Sequence, residues 1–194
     1  MPNSRKHAGF TMIEILVTIT IIGIVATLAI PSFRTFILNN RITTQTNEFI
    51  GALKITRNNA VSLGRNVAIC AADPETNGSA CVGANWATGW LIFEDLDGDG
   101  GFDPGETIVR TGAALAGDNT LNPIVAGALN NNQAAGALIT YQPDGTVLQI
   151  ATLASGNIAT MGYSICDGRG PAFGRTVIIS RTGNTRIIDP SPAC

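Results

Sequence analysis

Between Lys6 and Arg34 the chain carries one charged side chain, Glu14, in an otherwise apolar run that reaches Ile30. About 20 helical residues span roughly 30 Å, the thickness of a bilayer's hydrocarbon, so this run is long enough to cross a membrane. A lone carboxylate at that depth costs several kcal/mol (~2.5–3.5 by insertion scales) unless it is paired or protonated. No basic residue lies in the same run, so a partner has to come from another chain or from a new N-terminus. A secretory signal would have a shorter apolar core followed by a small-residue cleavage site. A plain membrane anchor would have no use for the glutamate.

The string Ala8-Gly9-Phe10-Thr11-Met12-Ile13-Glu14-Ile15-Leu16 resembles the class III signal of type IV pilins and type II secretion pseudopilins. The resemblance implies that a prepilin peptidase cuts between Gly9 and Phe10 on the cytoplasmic side and methylates the new N-terminal Phe10. It further implies that Glu14 pairs with the Phe10 ammonium of a neighbouring subunit in a filament. That supplies the partner the apolar run lacks. Residues 1–9 are then a removable leader and 10–33 a transmembrane or filament-core helix. Arg5 and Lys6 precede the apolar run, which keeps the leader cytoplasmic and exports the rest.

The 194 residues suit one membrane helix and one globular domain. Removing Arg5 and Lys6 leaves ten basic against fourteen acidic groups, a net charge of −4. That balance argues against bulk electrostatic binding of nucleic acid. Four cysteines, Cys70, Cys81, Cys166 and Cys194, fit two disulfides in an exported domain. Three connectivities are open; Cys70–Cys81 with Cys166–Cys194 is favoured because each closes a modest loop. No Cys-x-x-Cys spacing points to a metal, and the one histidine, His7, lies in the leader. With no histidine after maturation, no glycine-rich phosphate loop and no evident nucleophile–base pair, the chain reads as a structural protein and not an enzyme.

Beyond Pro31, an expected kink, the helical pattern resumes. Ile42, Thr46, Phe49, Leu53, Thr56, Ala60 and Leu63 fall on one face, and Gly64 suits a C-cap. The spacing predicts one helix from about Phe10 to Leu63, with residues 34–64 its amphipathic half. From there the period changes to strands over 67–70, 90–93, 107–110, 137–142, 146–150, 163–166, 175–180 and 185–188. Pro143-Asp-Gly145 and Thr182-Gly183-Asn184 mark hairpin turns, and 111–136 reads as a long loop. The expected class is α+β: a long N-terminal helix packed on an exported antiparallel β domain, residues 65–194.

Trp86-Ala-Thr-Gly89-Trp90-Leu-Ile-Phe93, the acidic loop after it, and Gly105-Glu106-Thr-Ile-Val-Arg110 resemble the FimT/FimU minor pilins and the related GspH pseudopilins. Val67 to Cys70 and the closing Arg-Thr-Gly-x-x-Arg turn fit the same group. The resemblance implies a type IV pilin-like fold and a low-abundance subunit that primes pilus assembly at the filament tip. Its partners would be other major and minor pilins, the prepilin peptidase and the inner membrane. The alternative is the H-type minor pseudopilin of a type II secretion system.

Two constellations suggest added chemistry. Asp95, Asp97, Asp99, Asp103 and Glu106 match the calcium loop D-x-D-x-D-G-x5-E, with Gly100 at the sixth position. An EF-hand places helices on both sides, whereas strands flank this loop, and the bland alternative is a solvated acidic turn. The second constellation is basic. Relatives of the FimT kind bind DNA through a Gly-Arg-x-Arg motif, and the matching string here is Gly183-Asn184-Thr185-Arg186. Asn184 replaces the first arginine. Arg175, Arg181 and Arg186 are the candidates for weak, salt-dependent contact with double-stranded DNA; otherwise they are charges that keep edge strands from pairing.

Overall fold

The computed structural model describes residues 9–73, 81, 83, 85–126, 138–148, 160–192 and 194. The chain divides into two compact units between Asn39 and Asn40. One helix, α1 (Met12–Leu63), supplies residues to both, with Pro31 inside it.

In the first unit, every large apolar side chain from Met12 to Ile30 is exposed. The segment is long and apolar enough to cross a membrane. Its hydroxyls bond within the helix: Thr18, Thr20 and Thr27 donate to the carbonyls of Ile15, Leu16 and Ile24 at 2.7–2.8 Å. Polar groups satisfied in this way suit an apolar surrounding that offers no water. The helix begins at Met12, two residues later than the spacing predicts.

In the second unit, α1 buries Ile42, Gln45, Thr46, Phe49, Ala52, Leu53, Thr56 and Ala60. This is the expected stripe with Gln45 and Ala52 added. Leu63, expected on it, is exposed, because the helix ends there. Gly64 takes a left-handed φ of 65° and returns its N–H to the Ala60 carbonyl at 3.0 Å, which caps the end.

Among the described residues eight strands follow: β1 (Val67–Ala71), β2 (Trp90–Glu94), β3 (Ile108–Gly112), β4 (Thr120–Ala126), β5 (Leu138–Tyr141), β6 (Thr160–Cys166), β7 (Arg175–Ile179) and β8 (Thr185–Ile188). They form two antiparallel four-stranded sheets, ordered β3-β2-β1-β5 and β4-β6-β7-β8. Both sheets and α1 share one core. At its centre Phe49 of α1, Trp86 of a short 3-10 turn and Tyr163 of β6 meet with ring centroids 5.1–5.6 Å apart.

β1 is buried along its whole length. Val67, Ile69 and Ala71 face that core, whereas Ala68 and Cys70 face a second apolar cluster with Ala72, Leu91 and Phe93. A strand covered on both faces reads as an unbroken apolar run, which is how Val67-Ala-Ile-Cys70 looks in the sequence.

Two expectations need correction. β4 lies in what reads as a loop; Pro123 hides it, since proline is excluded from central strands but tolerated on an edge, where β4 sits. Among the described residues the expected partner strand 146–150 is a single bridge, Val147 to Tyr141, flanked by the Gln142 N–H to the Thr146 carbonyl at 2.9 Å and the Leu148 N–H to the Thr140 carbonyl at 3.0 Å, while the Val147 N–H donates to the Arg181 carbonyl at 2.8 Å. Residues 149 and 150 lie outside the described residues, as do 127–136 of the expected loop. Disulfides join Cys70 to Cys81 and Cys166 to Cys194, with Cα atoms 5.7 and 5.6 Å apart.

Candidate functional site

At the N-terminus, Gly9 and Phe10 precede the helix and are exposed. The Glu14 N–H donates to Thr11 Oγ1 at 3.3 Å, and the Thr11 N–H donates to Glu14 Oε2 at 3.4 Å. This reciprocal pair is a capping box: each side chain satisfies one of the donors a helix start leaves without a partner. Glu14 therefore has a local role in the single subunit. Thr-x-x-Glu was visible in the sequence as a helix-start signal, but the resemblance drew attention only to the glutamate.

The acidic loop joins β2 to β3. Gly98 N–H donates to Asp95 Oδ1 at 2.8 Å, Asp99 N–H to Asp97 Oδ1 at 3.2 Å and Gly101 N–H to Asp99 Oδ1 at 2.6 Å. Glu106 straps the loop, accepting from the N–H groups of Leu96 at 2.8 Å and Asp103 at 3.0 Å. The structure brings one carboxylate oxygen each of Asp95, Asp97 and Asp99 within 4.8 Å of one another; Asp103 and Glu106 stand outside that group. Burial raises the Asp95 pKa above the usual carboxylate value against the pull of the Gly98 and Gly100 amides, and the charges of Glu106 and Asp97 raise it further. The Asp103 pKa is raised, chiefly by the charge of Asp99.

The basic candidates separate. Arg175 Nε pairs with Asp189 Oδ2 at 3.1 Å, and its Nη1 donates to Thr43 Oγ1 at 2.8 Å. It is thus committed to holding β7 against α1. Arg181 and Arg186 are exposed on either side of the β7–β8 turn. A fourth arginine, which sequence reading did not single out, lies under that turn. Arg57 of α1 donates to the carbonyls of Gly145 at 3.2 Å and Thr182 at 3.0 Å, and to Asn184 Oδ1 at 3.4 Å. One guanidinium therefore ties the Pro-Asp-Gly turn and the β7–β8 turn to the helix. Gly183, at φ 76°, has no room for a side chain: a Cβ would run into the Gly145 carbonyl.

The Type II transport protein GspH family matches residues 45–183. The chain belongs to the GspH family. Residues 4–30 match the prokaryotic N-terminal methylation motif, which covers Gly9, Phe10 and Glu14. Two crystal forms of the type IV minor pilin FimU of Pseudomonas aeruginosa share the fold, at 18% and 19% identity. Their TM-scores are 0.51 and 0.52, covering 78% and 80% of this chain and 96% and 93% of those chains. A fimbrial protein of Pseudomonas aeruginosa is 32% identical over 72 residues, which is 37% of this chain and 46% of that protein. The chain thus spans about half the length of the curated relatives it matches.

The family is described as a type II transport protein, and the likeness to the FimU structures shows the fold. The α+β pilin fold expected from the sequence is the fold found. Arg57 escaped notice because its partners are backbone carbonyls 88 and 125 residues away. A lone arginine on a helix carries no sign of such partners.

Proposed function

We propose that this GspH-family chain is a minor type IV pilin, a low-abundance subunit that primes pilus assembly at the filament tip. The carrying observation is the helix start: Gly9-Phe10 lead into a capping box holding Glu14, and the large apolar side chains that follow, to Ile30, are exposed. Such a surface needs lipid before assembly and neighbouring helices after it. On this reading the peptidase cuts after Gly9, and Phe10 is methylated. Arg5 and Lys6 face the cytoplasm, and the second unit is periplasmic until Glu14 docks on the Phe10 ammonium of a neighbour in the filament. The likeness to fimbrial proteins in sequence supports the pilus. The description of the matching family supports the alternative, an H-type pseudopilin of type II secretion.

Double-stranded DNA is a further proposed partner, held weakly by Arg181 and Arg186, whose exposure at one turn supports the reading.

Deleting the gene in its host tests the assignment. Surface filaments counted by electron microscopy should fall at least tenfold, with exported enzyme levels unchanged, and plasmid-borne expression should restore them. Normal filaments with lost secretion would overturn the pilus in favour of the pseudopilin.

A further inference from the structure

Asp95 directly follows β2 and is 2% exposed. One of its oxygens is satisfied by Gly98; the other, Oδ2, is buried and has no hydrogen-bond partner. A carboxylate oxygen taken out of water without compensation is unfavourable, and burial of the charge compounds this. Beside it stand two more carboxylates, those of Asp97 and Asp99, both on exposed residues, with one oxygen of each of the three within 4.8 Å of the others. Among the described residues, the nearby cation Arg65 is engaged elsewhere, with Glu94 at 3.0 Å. Three carboxylates converge on a buried aspartate with an unsatisfied oxygen, where a positive charge would relieve the repulsion.

We propose that Asp95, Asp97 and Asp99 bind a calcium ion. Calcium takes six to eight oxygen ligands at about 2.3–2.6 Å in adaptable geometry, which suits carboxylates supplied at alternate positions of one loop. Magnesium requires a tighter octahedron and keeps most of its water. Gly100, at φ 80°, provides the sharp turn after the third aspartate. A side chain there would collide with the Leu138 side chain of β5. Glu106 departs from the EF-hand pattern: both its oxygens are used by backbone N–H groups at the two ends of the loop. It acts as a positioning strap, and backbone carbonyls and water complete the coordination.

The loop is also a cover. Phe102 stacks edge-on against Phe93 with centroids 5.4 Å apart, and with Leu138 and Cys81 it closes the second apolar cluster over Ala68 and Cys70. Cation binding at the loop is therefore linked to the packing of the outer face of β1. Six acidic groups lie between Glu94 and Glu106, so without a cation this cover is held on against its own repulsion.

The test uses the full chain in mild detergent, stripped with chelator and titrated with calcium chloride alone. Equilibrium dialysis should find one ion per chain, with half-saturation at about 0.1–1 mM, the range of extracellular calcium modules. Thermal unfolding should shift upward by about 3–6 °C at ten times that concentration. Asp97→Asn and Asp99→Asn, both at exposed positions, should each weaken binding at least tenfold while unfolding in chelator no earlier than the parent. Absence of bound calcium at about 5 mM would overturn the proposal, since that is above the weakest such modules. So would undiminished binding in the Asp97→Asn/Asp99→Asn double variant, or an equal response to magnesium chloride, which would signify charge screening without a site.

Discussion

Arg57 and Asn184 lie side by side across 127 residues of chain, with Arg57 Nη1 donating to Asn184 Oδ1 at 3.4 Å. Asn184 stands where the proposed DNA-binding string, Gly-Arg-x-Arg, would place an arginine. An arginine there would set one guanidinium beside another and remove an acceptor. The asparagine is thus consistent with a turn built around Arg57 from below.

Arg57→Ala should destabilise the second unit by about 1–3 kcal/mol, since the part-buried Gly145 carbonyl and the exposed Thr182 carbonyl lose a charged donor. Lysine should rescue little, because it lacks the planar fork that reaches two turns at once. Denaturant unfolding of the detergent-solubilised chain checks this. A loss below about 0.5 kcal/mol, the range of ordinary surface substitutions, would show the clamp to be incidental.

For DNA, Arg181→Ala and Arg186→Ala should each weaken retention in a gel shift and lower the salt slope by about one. Arg175→Ala should instead lower thermal stability and leave the slope unchanged, because its donors are used by Asp189 and Thr43. No retention at low salt by folded protein would leave Arg181 and Arg186 as edge protection.

Glu14→Ala and Glu14→Gln separate the two roles at the helix start. Glutamine can keep the capping box but carries no charge. Both variants should be cleaved after Gly9 and remain in the membrane, and both should be absent from sheared filaments. Filament entry of Glu14→Gln at parental levels would mean that capping, and not charge pairing, is what assembly requires.

Acid should weaken the segment after β6. Burial works against the Asp167 carboxylate. Hydrogen bonds from the Arg169 side chain and backbone, with the charges of Arg169 and Arg41, outweigh it and hold the pKa below the usual value. A depressed carboxylate contributes stability that is complete above about pH 4 and is lost as pH falls through the folded-state value. The deficit of Arg169→Ala, measured by unfolding at several pH values, should therefore shrink from about pH 4 towards pH 2. A constant deficit would assign the role of Arg169 to its stacking over Phe173, 4.4 Å from the ring centroid.

Strands rich in β-branched and aromatic residues were legible, as β1, β2, β7 and β8 show, because burial and side-chain alternation act within a few residues. The helix was legible for the same reason, down to the glycine that ends it. β4 was not: a proline is a local signal, whereas an edge position is a property of the finished sheet. Nor was the division into two sheets, which depends on which strands meet across long separations. At the sites, local patterns marked Gly9, Phe10, Glu14 and the aspartates of the acidic loop. The commitment of Arg175 and the clamp by Arg57 depend on partners far along the chain, which spacing does not encode.

The Cys70–Cys81 bridge has one sulfur in a closed apolar cluster and the other at a half-exposed residue. Thiol–disulfide exchange requires in-line access to the sulfur attacked. An incoming thiolate therefore meets Cys81 before Cys70, and the group it must expel there is a Cys70 thiolate among Ala68, Leu91 and Phe93, in an apolar setting that does not stabilise it. Exchange at this bridge is directional: Cys81 is the entry point, Cys70 the reluctant leaving group, and a reductant that meets the folded second unit has a poor route in.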